Sequence, residues 1–111
     1  SGLRIQNLYI EAAGSANQYR YKLVLIQALK HESSIQGRAS FEISGVQVGE
    51  DVVLRVPAAN ERAISVNFKY FQDIEGKFEL PRNFQPKRVK VHITSPGGAS
   101  MAEASYNWPQ V

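Results

Sequence analysis

Apolar and polar residues alternate with a period of two along most of this chain, and that pattern leaves few folds open. Val89, Val91 and Ile93 alternate with Arg88, Lys90, His92 and Thr94. Ile64, Val66, Phe68 and Tyr70 alternate with Ser65, Asn67 and Lys69. The same pattern recurs at Phe41 and Ile43, at Val52, Leu54 and Val56, at Phe78 and Leu80, and at Ala102, Ala104, Tyr106 and Trp108. A strand sends successive side chains to opposite faces, so this period marks strands with one face in a core and one in water. No long segment holds a helical period. Ala58 to Ala63 has room for one helical turn, and Gly14, Ser15 and Asn17 make the Glu11–Ala16 region a hairpin loop.

Two segments are less regular. The apolar set Leu3 and Ile5 changes phase to Leu8 and Ile10. Either a β-bulge near Gln6-Asn7 or a strand that starts only after them accounts for this. Tyr19 to Leu29 is more uniformly apolar, the pattern of a central strand covered on both faces.

Turn residues separate the strands at short intervals. They include Gly14 to Asn17, Val48 to Asp51, Pro57 to Asn60, Asp73 to Gly76, Pro81 to Asn83 and Ser95 to Gly98. The prolines at 57, 81, 86, 96 and 109 all fall at expected strand ends or in loops, where a missing N–H harms no ladder. The expected fold is all-β: an antiparallel β-sandwich of immunoglobulin or fibronectin type with roughly seven to nine strands.

At 111 residues the chain has the length of one domain. Ser1-Gly2 reads as an expression scar, which leaves 3–111 as a single β-sandwich domain. No apolar run approaches the roughly 20 residues needed to span a bilayer. The absence of cysteine excludes disulfide frameworks and thiolate metal sites.

Enzyme chemistry finds little support. His31 and His92 lie far apart with no partner visible in the sequence, so both read as solvated surface histidines. Glu50-Asp51 and the pair Asp73 and Glu75 beside Gly76 read as hairpin loops. Gly-x-Ser-x-Gly does not occur, and Ser95-Pro96-Gly97-Gly98 lacks the lysine of a phosphate-binding loop. A non-enzymatic domain without metal or cofactor is expected.

The net charge of +3 is unevenly placed, because Lys77, Arg82, Lys87, Arg88 and Lys90 crowd one stretch. Arg88 and Lys90 should share a strand face with His92. Arg82, Lys87, Arg88 and Lys90 are therefore candidates for binding an anionic polymer or cell-wall glycan, against the plainer account of a solvated strand face. Nucleic acid is not an expected partner, since no exposed aromatic stacking platform accompanies the charges. Tyr70 and Phe71 abut in one expected strand and should point to opposite faces. At least one of them then lies outside the core, a candidate anchor for a protein partner.

The segment Phe68-Lys69-Tyr70-Phe71-Gln72-Asp73-Ile74-Glu75-Gly76, with Leu80-Pro81, Phe84-x-Pro86 and Val89-x-Val91, resembles the C-terminal domain of an uncharacterised proteobacterial membrane-protein family. Leu23 to Gln27 and Gly45-x-x-x-Gly49 are also similar to it, so the resemblance runs from about Leu3 to Trp108. It implies a parent chain with one transmembrane helix and a coiled-coil stem that makes it a homo-oligomer. This domain would then stand on the periplasmic face of the bacterial inner membrane. It also implies a non-catalytic interaction or scaffold role with a protein partner in the cell envelope. In physical terms, Phe68 to Gly76 should build a core strand, turn at Asp73 to Gly76 and return through Phe78 to Leu80. Phe84, framed by Pro81 and Pro86, should plug one end of the sandwich.

Overall fold

A computed structural model describes residues 2–28 and 33–109. The chain forms eight strands: β1 (Leu3–Ala12), β2 (Gln18–Gln27), β3 (Ile35–Gln47), β4 (Glu50–Val56), β5 (Ile64–Phe68), β6 (Phe71–Glu79), β7 (Phe84–Thr94) and β8 (Ser100–Asn107). All pairings are antiparallel. One sheet has the order β1-β2-β6. The other has the order β4-β3-β7-β8, with β5 pairing the first half of β3 on the edge that β4 uses further along. The two sheets pack as a β-sandwich.

The alternation read from the sequence is the alternation that builds the core. Leu23 and Leu25 of β2 and Val89, Val91 and Ile93 of β7 are almost wholly buried, with Phe41 and Ile43 of β3 and Val66 of β5 beside them. Burying a side chain of this size contributes roughly 1.5–3 kcal/mol, so this double row is the main source of stability. At one end Tyr19 stacks on Phe78 at 5.7 Å and meets Trp108 edge-on at 5.3 Å. Phe84 is buried at the same end against Gly45, where a Cβ would stand 2.7 Å from its ring.

The phase change in β1 is a bulge, with the register shifting between Ile5 and Asn7. The Gly14–Asn17 hairpin and the Ser95–Gly98 turn form as expected, the latter closed by the Gly98 amide donating to the Ser95 carbonyl at 2.9 Å. Pro57 to Ala63 makes a turn in which the Glu61 amide bonds the Ala58 carbonyl, without a helix.

Four expectations need correction. Asp73 to Gly76 is not a turn: β6 runs through it and pairs with β2 from Phe71 to Glu79. Its glycine serves packing, as described below. Pro86 lies inside β7, at a register shift where Ser44 faces Arg88 and Gly45 faces Pro86, which leaves Lys87 unopposed. A bulge tolerates the missing N–H there. β2 is central in its sheet, but only one of its faces meets the core. Val24 and Ile26 on the other face are half-buried by neighbouring strands, with no third layer among the described residues. Leu29 and His31 lie outside the described residues.

Fourth, Tyr70 and Phe71 do not share one strand. β5 ends at Phe68 and β6 begins at Phe71, so the chain crosses between the sheets at Lys69-Tyr70. The crossover breaks the alternation, and both rings face solvent, Tyr70 at 70% and Phe71 at 68% exposure.

Candidate functional site

Three places on the sandwich carry chemistry. The first is the crossover. The Gln27 amide donates to the Tyr70 carbonyl at 3.0 Å and ties the crossover to β2. Lys69 Nζ stands 5.5 Å from the Tyr70 ring centre. Phe71 is opposite Ile26 in the ladder, so an apolar corner forms on the outer face of the three-stranded sheet. Gly2, the first described residue, lies at the same end, its carbonyl accepting from the Ala28 amide at 2.7 Å.

The second is a row of charges across the outer face of the larger sheet. His92 Nε2 is 2.7 Å from Glu42 Oε1, and His92 Nδ1 is 2.8 Å from Glu103 Oε1. Arg55 Nη1 reaches Glu42 Oε1 at 3.4 Å. The row thus joins β4, β3, β7 and β8. His92 is not a solvated lone histidine, because strand register brings in two carboxylates from distant positions. Its two ring nitrogens thus face one carboxylate each, from strands on either side of β7. Burial pushes the Glu42 carboxyl up, but the hydrogen bond from His92 and the charges of Arg55, His92 and Lys90 outweigh it and hold it below the ordinary carboxylate range. With both ring nitrogens engaged, His92 has no free nitrogen with which to activate a nucleophile.

The basic candidates fall into separate groups. Arg88 and Lys90 do share the outer face of β7 with His92, as expected. Arg88 Nη1 bonds Asn107 Oδ1 at 2.8 Å, and Lys90 lies opposite Glu42 and Ser105. Lys87 is the bulged residue, and Arg82 sits in the β6–β7 turn with its carbonyl accepting from Gln47 Nε2 at 3.0 Å. Lys77 belongs to β6 in the other sheet. The row therefore sets Glu42 and Glu103 among the cations instead of leaving a uniform basic stripe.

The third place is a cleft of about 600 Å³ between the open edges of the two sheets, walled by β4, the Pro57–Ile64 segment and the end of β6. Leu54, Val56, Phe78 and Leu80 give it apolar walls, and Arg55, Asn60, Glu61, Arg62, Lys77 and Glu79 add polar and charged groups to its lining. Tyr21 also lines it. The residue is only 7% exposed, and its ring packs on Phe41 at 4.8 Å. Among the described residues no group bonds the Tyr21 hydroxyl, yet that oxygen is not sealed from solvent. Burial pushes its phenol up. The sequence signal for this place is the Tyr21/Gly76 pair, which only the β2–β6 register brings together. Among the described residues no group of three or more potential metal ligands converges.

The family of unknown function DUF6776 matches residues 1–91. The chain belongs to that family. No curated protein matches it. Among solved structures, it is similar to part of the Pseudomonas fluorescens alkylpurine DNA glycosylase AlkC bound to DNA containing an abasic-site analogue. The TM-score is 0.53 and the identity 15%, over 96% of this chain and 30% of the glycosylase. That likeness is one of fold. A structural-genomics target, SoR45, aligns with a TM-score of 0.45 and 11% identity over 97% of this chain and 88% of its own. Among the described residues no helix is long and apolar enough to cross a membrane.

Proposed function

We propose that this DUF6776 domain is a non-catalytic interaction module that docks a protein partner through the Tyr70–Phe71 corner. The observation that carries the reading is the presentation of two large rings to solvent on a crossover tied to β2 by a backbone hydrogen bond. Exposed aromatics held in place lose little entropy on binding and serve as anchors in many interfaces. The engagement of both His92 nitrogens and the dispersal of the other polar groups over flat sheet faces support a role without catalysis. The strand order, with β1-β2-β6 facing β4-β3-β7-β8, is compatible with an immunoglobulin-type Greek key.

The resemblance to a bacterial membrane-protein family supports placing the parent chain on the periplasmic face of the inner membrane, anchored by one helix and oligomeric through a coiled coil. Cross-linking of the wild-type domain and a Tyr70→Ser/Phe71→Ser variant in bacterial envelope extract tests the docking surface. A defined partner should be recovered with the wild type and lost with the variant; equal recovery would overturn the assignment. Binding of an anionic polymer through Arg82, Lys87, Arg88 and Lys90 is the lesser reading. It requires affinity that falls steeply with salt and vanishes in Arg88→Glu/Lys90→Glu.

A further inference from the structure

We infer that the free edge of β6 is a strand-addition site for an extended peptide that alternates apolar and charged residues. The inference shares with the proposed function the idea of an interaction module, but it uses a different surface and stands on separate observations.

β6 is nine residues long and, among the described residues, pairs only with β2. Its first part is closed off from β5. Gln72 Oε1 accepts from the Asn67 amide at 2.9 Å, and Gln72 Nε2 donates to the Ser65 carbonyl at 3.5 Å. Beyond Gln72 no described strand occupies the edge, and the cleft opens beside its last residues. An unpaired strand edge offers a row of backbone donors and acceptors, and an added strand can use them all. Five residues of such a strand, opposite Glu75 to Glu79, would extend about 17 Å.

The side chains along this edge state what the strand should carry. Glu75, Lys77 and Glu79 are exposed on the outer face of β6, and Gly76 and Phe78 lie on the inner one. None of the three charged residues has an ion-pair partner among the described residues. A complementary strand is therefore basic opposite Glu75, acidic opposite Lys77 and basic opposite Glu79. Its apolar residues, opposite Gly76 and Phe78, would enter the cleft against Leu54, Val56 and Phe78. Gly76 has no side chain to fill the inner side. Tyr21 takes that space and sets its unpartnered hydroxyl over Gly76, on the inner face of β6. The cleft beside this edge combines apolar residues, Leu54, Val56, Phe78 and Leu80, with polar groups, Arg55, Glu61 and the Tyr21 hydroxyl among them, the mixture that suits a recognition pocket.

The test is a titration of the 15N-labelled domain with two blocked peptides, Ser-Lys-Val-Glu-Val-Lys-Ser and its charge inverse Ser-Glu-Val-Lys-Val-Glu-Ser. The palindromic charge pattern accommodates either strand direction. The first peptide should give saturable shifts and slowed amide exchange at Glu75 to Glu79, and the inverse should bind at least tenfold more weakly. The comparison lies in the peptides, so it does not depend on any variant folding. Glu75→Lys/Glu79→Lys should reverse the preference, and Tyr21→Phe should weaken binding about fivefold. No saturable change at β6, equal binding of both peptides, or shifts centred on Tyr70 and Phe71 would overturn the inference. Phe71→Ser should leave the titration unchanged, which separates failure at this edge from failure at the aromatic corner.

Discussion

The Tyr21 ring fills the space that a side chain at Gly76 would need: a Cβ there would stand 2.5 Å from the phenol oxygen and 2.6 and 2.7 Å from two ring carbons. The two residues face each other across the β2–β6 ladder, with Tyr21 directed into the core. The ring is itself held by Phe41 and Phe78, so it has little room to give way.

Gly76→Ala should therefore destabilise the domain by about 1–3 kcal/mol through overpacking. Tyr21→Leu removes the clashing atoms. In a double-mutant cycle by urea unfolding, the combined variant should be less destabilised than the sum of the two, by about 1 kcal/mol. Strict additivity would show that the clash is relieved elsewhere.

Tyr21→Phe separates the ring from its hydroxyl. The oxygen has no partner among the described residues, so its removal should change stability by less than about 0.5 kcal/mol. A loss well above that in urea unfolding would reveal a hydrogen bond to the hydroxyl.

Phe71 and Phe78 lie on the same strand and face opposite ways. Phe71 is exposed, and Phe71→Ala should stay within about 0.5 kcal/mol of wild type. Phe78 stacks on Tyr19 and meets Trp108 edge-on, so Phe78→Ala should cost about 3 kcal/mol. Parallel thermal and urea unfolding of the two variants checks the contrast.

Glu42→Gln should lower stability at neutral pH by about 1 kcal/mol, through weakened hydrogen bonds to His92 and Arg55. The folded-state carboxyl is held below its ordinary range, so its stabilisation is present above the unfolded-state pKa and is lost as pH falls through the folded one. The gap between wild type and variant should accordingly close on acidification. Urea midpoints measured at a series of acidic pH values test this, and a gap that widened toward acid would contradict it.

Much of the fold was legible from alternation. The phase change in β1, the hairpin after it and the inward set Val89, Val91 and Ile93 follow from local pattern, because a strand half in a core must segregate its side chains; pairing with β2 decided that the phase change is a bulge. The error at Asp73 to Gly76 has an equally local origin. Asp, Glu and Gly together look like a turn, and only the pairing of Gly76 with Tyr21 shows why a glycine belongs in mid-strand. The crossover at Lys69-Tyr70 was hidden by an alternation that continues across it from Phe68.

The sequence by itself determined that this is an all-β domain, which face of most strands meets its core, and that it lacks the residues for thiolate or disulfide chemistry. Those properties depend on residue type and on a period of two, both of which are local. Tertiary structure alone decided that His92 lies between Glu42 and Glu103, that Lys87 stands unopposed in a bulge of β7, and that Tyr21 lines an open cleft beside the end of β6. Each of these is a matter of register between strands distant in the chain. Sliding a strand by one residue would reverse the face of every side chain on it, and that register is set by how the two sheets fill a common core.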